Sequence, residues 1–351
     1  MTSRERVLEA LNHRETDRIP LTLICGGINP PAMKALDTYL KDTRGTDAQS
    51  YIDSFLDVDE LWATGDFNQE TDMWGVSRKE INYGEGSYSE IVHAPLQHME
   101  TIEKIRKYSF PKVKHMPVDT MAEKIHYLRK NGDRAIMLAN ANLFETSWYM
   151  RGFEQAFLDM MLQPDILHFI MDTVTSFFTE YFYAIMKQCP GMIDLVFTAD
   201  DIGQQDGLLL SLEQWEEFIK PYHVRINEMI HSMGSKVIYH SDGAIMEAVP
   251  GLMDMGIDVL QALQFSAADM DPHILKEKHG DRLCFEGGMC VQKLLPFGSV
   301  EEVRQETRRL ISVLGRNGGY LCGPSHFIQS GTPPENIAAF FDEALAYYPF
   351  K

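Results

Sequence analysis

From Val118 onward, short β-prone runs alternate with helical stripes six times, and this alternation restricts the fold more than any other feature of the chain. The runs are Ala135–Ala139, Asp194–Thr198, Val237–Tyr239, Asp258–Leu263, Leu283–Glu286 and Tyr320–Cys322. Each is short and apolar, as a parallel strand covered on both faces must be. The segments between them carry helix signals. Ser211 with Gln214 and Ser299 with Glu302 have capping-box spacing, and Trp215, Phe218, Ile219 and Tyr222 recur at i, i+3, i+4 and i+7. Two more strands, Ile19–Cys25 and one within residues 29–117, bring the count to eight. The expected fold is therefore α/β, a TIM (β/α)8 barrel forming one domain over residues 1–351. Residues 1–117 supply an N-terminal helix, the first strand and an elaboration, and residues 118–351 the regular units. The competing architecture is an open doubly wound sheet.

The elaboration reads as irregular from about Asn29 to Pro117, apart from a hairpin around Asp72–Val92, with Trp74 as a candidate wall of a cleft. Thr2 and Glu5 box an opening helix. A formal charge of −19 argues against non-specific attraction to nucleic acid or anionic lipid. Five cysteines without a CxxC argue against a disulfide framework. No apolar run reaches the length of a membrane span, so a cytoplasmic protein is expected. No GxGxxG follows a strand and no Walker loop is present, which leaves nucleotide cofactors without support.

On a barrel the residues just past each strand share one bowl. The strand ends supply Glu145 and Trp148, then Asp200 and Asp201, His240 and Asp242, Gln261 and Gln264, Glu286 with Cys290 behind it, and Cys322 with His326. Adjacent carboxylates such as Asp200 and Asp201 repel, which raises the pKa of one unless a cation compensates. His240 and Asp242, two apart with Gly243 behind them, have the look of half a metal or acid–base site. A His-X-Asp pair with a distant His also matches non-haem iron oxygenases, but the helical alternation excludes their usual jelly roll.

SRERVLEALNHRETDRIP, TDMWGV, FETSWYMRGFE, TADDIGQQ, YHSDG, FEGGM and GGYLCGPSHFIQSGTPPENI together resemble the uroporphyrinogen decarboxylase superfamily across nearly the whole chain. The resemblance implies a TIM barrel with its site in the bowl, and one of two activities. The decarboxylases carry an Arg-Gln-Ala-Gly-Arg motif after the first strand, where this chain has Leu23, Ile24, Cys25, Gly26 and Gly27. Without those cations a polycarboxylate is penalised in an acidic bowl. The corrinoid-linked methyltransferases of the coenzyme M type bind zinc through a His-X-Cys pair and a later Cys. Those positions fall on His240, Asp242 and His326, with Cys322 a weaker candidate. What the resemblance implies here is methyl transfer, assisted by zinc, from a methoxylated small molecule to the corrinoid of a separate protein. Asp200, Asp201 and Glu286 would be catalytic, and Glu145, Trp148, Gln261, Gln264 and Trp74 would bind substrate. A decarboxylase-like lyase and a non-catalytic small-molecule-binding barrel are the alternatives, and a homodimer is compatible with either.

Overall fold

The apolar runs pair as the alternation requires. The computed structural model describes residues 1–25, 27–64, 70–83 and 86–350, so Gly26 of the first-strand loop lies outside the described residues. Its strands are β1 (Val58–Trp62), β2 (Ser77–Tyr83), β3 (Gly86–His93), β4 (Ala135–Asn142), β5 (Leu195–Ala199), β6 (Lys236–His240), β7 (Val259–Ala262), β8 (Cys284–Met289) and β9 (Tyr320–Pro324). Seven of them form one parallel sheet in the order β1-β4-β5-β6-β7-β8-β9, and β2 and β3 form the separate hairpin.

The sheet curls until its two edges meet across residues 20–22. Leu21 makes a parallel bridge to Cys322, and the Asp57 N–H donates to the Leu21 carbonyl, so this segment joins β9 to β1. The expected strand Ile19–Cys25 is thereby reduced to a bridge. Pro20 has no N–H to give a ladder, and the Leu21 N–H is taken by the Asp57 carboxylate at 2.9 Å. Asp57 is fully buried and also accepts from Arg6 at 2.7 Å and Arg18 at 2.6 Å, a clasp beneath the seam.

Leu195, Phe197, Ile238, Val259, Cys284 and Leu321 fill the barrel interior. Val7 and Leu11, from the capped helix Ser3–Leu11, pack into the same cluster and close the end where the strands begin. Alternate strand residues such as Val196, Val237, Leu260 and Phe285 face the surrounding helices in a second, larger core.

Several segments depart from expectation. Pro30–Arg44 is a helix, begun by Pro30 and ended by Gly45 in the left-handed region. Leu143–Arg151 is also helical. The stripe after Ser211 breaks at Ile219 into Leu212–Phe218 and Lys220–Ser232, because Pro221 begins a new helix. Past β6 the chain forms a 3₁₀ turn, Met246–Ala248, followed by the short helix Val249–Asp254. Among the described residues no helix is long and apolar enough to cross a membrane.

Candidate functional site in the barrel mouth

Ala199, His240, Gln261 and Glu286 lie side by side in the registers of β5, β6, β7 and β8. Each stands two residues beyond an interior residue of its strand, so the row points inward as the next layer of the barrel. The Gln261 amide oxygen accepts from His240 Nδ1, which leaves Nε2 as the free lone pair of the neutral ring. Glu286 Oε1 accepts the Thr22 hydroxyl, while among the described residues the buried Glu286 Oε2 and Gln261 Nε2 have no hydrogen-bond partner. Burial pushes the Glu286 carboxyl up to about 8. Gly323 makes room for this pair, since a Cβ there would stand 2.6 Å from Glu286 Oε1 and 2.5 Å from Thr22 Oγ1.

Above that row three side chains converge. Cys25 Sγ lies 3.6 Å from His326 Nε2 and 4.0 Å from His240 Nδ1, and the two imidazole centroids are 5.6 Å apart. Burial alone would raise the Cys25 thiol, but the two imidazoles outweigh it and bring the thiol down to about 6. Burial likewise opposes a charged His240, yet Cys25, Asp242 and Asp201 hold its pKa well above the usual value. Asp201 Oδ1 is 3.5 Å from His240 Nε2 and accepts the Asp242 N–H at 2.8 Å. Asp242 Oδ2 is 3.9 Å from His326 Nε2. Two overlapping groups therefore have metal-ligating atoms within 4.8 Å of one another: Cys25, His240 and His326, and Asp201, His240 and Asp242. The donor types in both suit a divalent ion such as zinc.

The remaining candidates divide by position. Asp200 is fully buried and accepts from the N–H groups of Phe144 and Glu145 and from His223 Nε2, so it fastens the first turn of Leu143–Arg151. Glu145, on that turn, accepts from Tyr149 at 2.8 Å and from Asn142. Burial, with Asp201 and Asp200 nearby, raises it to about 8. The Trp148 ring packs edge-on to Tyr149 and Phe153, and the Arg78 guanidinium lies 5.1 Å over Tyr149. Gln264 accepts the Gly243 N–H and reaches Gln205 and Gln292. Asp242, Gln264, Gln292, Phe297 and His326 help line a 490 Å³ cleft beside the cluster.

Three residues stand apart from the cluster. Trp74 is 4% exposed and packs against Phe177 and Phe178, so it faces the helical layer. Cys322 is fully buried among core residues, and burial pushes its thiol up to about 12. Cys290 is partly buried and belongs to no group of three or more metal-ligating side chains among the described residues. Cys25 is the residue that sequence reasoning missed. It lies in the five-residue stretch read for its lack of arginine, and its position at a strand end was the available signal.

A profile of the family described as uroporphyrinogen decarboxylase (URO-D) matches residues 2–347. A methylated-thiol–coenzyme M methyltransferase of Methanosarcina mazei is 26% identical over 197 residues, covering 56% of this chain and 49% of that protein. A uroporphyrinogen decarboxylase of Anaeromyxobacter sp. is 29% identical over 132 residues, covering 38% and 36%. The matched stretch is thus half or less of the length of these curated relatives. The solved structure of a methyltransferase from Methanosarcina mazei superposes with a TM-score of 0.73 over 99% of both chains at 16% identity, which is a likeness of fold.

Proposed function

The chain belongs to the uroporphyrinogen decarboxylase family, and on that premise we propose that it is a methyltransferase. It moves a methyl group from a small methoxylated or otherwise methylated compound to the Co(I) corrinoid of a separate protein. One observation carries the reading: two imidazoles and a thiol meet in the barrel mouth, where a decarboxylase would need cations for its polycarboxylate. The charged neighbours of that cluster are Asp201 and Asp242, which repel such a substrate. The methyltransferases among the similar proteins favour the same branch.

His240 and His326 would hold a divalent ion, zinc in the simplest case, which when bound would polarise the donor heteroatom and ease its departure. The bond from methyl carbon to heteroatom breaks as the carbon–cobalt bond forms. Cobalt supplies both electrons, and the heteroatom leaves with its pair and takes a proton. Glu145, kept protonated to about pH 8 and oriented by Asn142 and Tyr149, is the proton source. Trp148 and Gln264 line the donor's side of the mouth. Asp200 holds the helix bearing Glu145, while Gln261 holds His240 from below.

The test is an assay of Co(I) corrinoid methylation over a panel of methoxyaromatics, methylamines and methyl thioethers. At least one donor should bleach the Co(I) absorbance, and His240→Ala should abolish that together with bound metal. Uroporphyrinogen should remain unchanged. Formation of coproporphyrinogen at an enzymatic rate would overturn the proposal in favour of the decarboxylase branch.

A further inference from the structure

Two candidate ligand sets share His240, and they differ in chemistry. We infer that the ion is held by Cys25, His240 and His326, with Asp201 and Asp242 outside the ligand set. The inference rests on the metal-assisted reading above and specifies which atoms carry it.

Spacing suits the thiol. Zinc bonds of about 2.3 Å to sulfur and about 2.05 Å to nitrogen, opened at a tetrahedral angle, put the two ligand atoms about 3.5 Å apart. Cys25 Sγ and His326 Nε2 are 3.6 Å apart. Placement favours it too. Cys25 sits at φ 62°, in the left-handed region that costs a non-glycine residue energy, and its N–H is held by Glu60 Oε1 at 3.2 Å. That conformation keeps the sulfur between two imidazoles from other strands. The carboxylates are placed less well. Asp201 already accepts the Asp242 N–H and its side chain is 43% exposed, and Asp242 Oδ2 stands 3.9 Å from His326 Nε2, farther than the sulfur.

The tautomers bear on the same choice. The His240 nitrogen beside Cys25 is Nδ1, at 4.0 Å from the sulfur, and Gln261 holds its proton, so joining Cys25 on one ion requires the Gln261 amide to let Nδ1 go. His326 must change, because its Nδ1 accepts the Phe327 N–H at 2.7 Å, which puts the proton of the neutral ring on Nε2. Coordination through Nε2 therefore requires the Phe327 amide to let go, and one hydrogen bond is exchanged for a metal bond.

The full chain, stripped with chelator and titrated with Co(II), tests this without any methyl transfer. Wild-type protein should develop the intense near-ultraviolet absorption of a thiolate–cobalt bond. Cys25→Ser should lose that band and bind Co(II) more weakly by at least the roughly 10- to 100-fold that loss of an outer partner costs, while Asp242→Asn keeps the band. Wild-type protein should also show Cys25 protected from iodoacetamide by zinc, read by mass spectrometry, which guards against a misfolded variant. Cobalt uptake with no thiolate band, or a band that survives in Cys25→Ser, overturns the inference and leaves the metal-assisted reading standing. No uptake of either ion takes down both.

Discussion

Glu286 has one oxygen satisfied by Thr22 and one left without a partner among the described residues, so ionising it is costly. Its pKa rises from 4.5 to about 8 on folding. Between those values the folded chain holds the extra proton, so this group's contribution to stability is complete below pH 4.5 and is lost as pH rises through 8. Glu286→Gln cannot ionise. It should gain on wild type by about 1 kcal/mol per pH unit across that window, an order-of-magnitude figure, and the two should run parallel below it. Denaturant midpoints measured from pH 4 to pH 9 check this, and parallel curves throughout would mean that Glu286 ionises freely. Single residues were legible unevenly. His240 and His326 stood out because few histidines end strands. Asp200 reads the same as Asp201 in sequence, and only the two amides it caps separate a structural carboxylate from an open one. Cys25 is hard to find in sequence because the imidazoles beside its sulfur lie more than 200 residues away.

Elements were easier to read wherever periodicity repeats. The six units after Val118 were visible because each strand is a buried apolar run and each intervening segment carries a stripe or a cap. The seam was not, because its first strand is a single bridge supported by a side chain rather than by a ladder. The helix Pro30–Arg44 was overlooked although Pro30 and Gly45 mark its ends, since scattered acids and aromatics obscured its apolar positions. Asp57 binds this seam to Arg6, Arg18 and the Leu21 amide with no exposure to water. Asp57→Ala should cost about 3 kcal/mol, because it removes a buried carboxylate shared by two guanidinium groups and the Leu21 amide, although Arg6 keeps Asp17. Urea unfolding of the variant measures this directly, and a loss below about 1 kcal/mol would show that the clasp does not hold the closure.

At the scale of the molecule, the charge of −19 and the acidic residues around the mouth disfavour polyanionic ligands, while leaving a neutral or cationic donor free to approach. The helix Ser3–Leu11 stoppers the far end of the barrel with Val7 and Leu11. A flask with one neck imposes a queue. Both reactants of the proposed transfer must use the same doorway, and the carrier protein is far too large to share it with an arriving small molecule. The donor should therefore go in first, the carrier should seat over it as a lid, and the demethylated product should leave only after the carrier lifts away. Initial rates should then show excess carrier slowing turnover at low donor concentration, with relief as donor is raised. Rates indifferent to carrier excess would mean that the small molecules have a second way in and out.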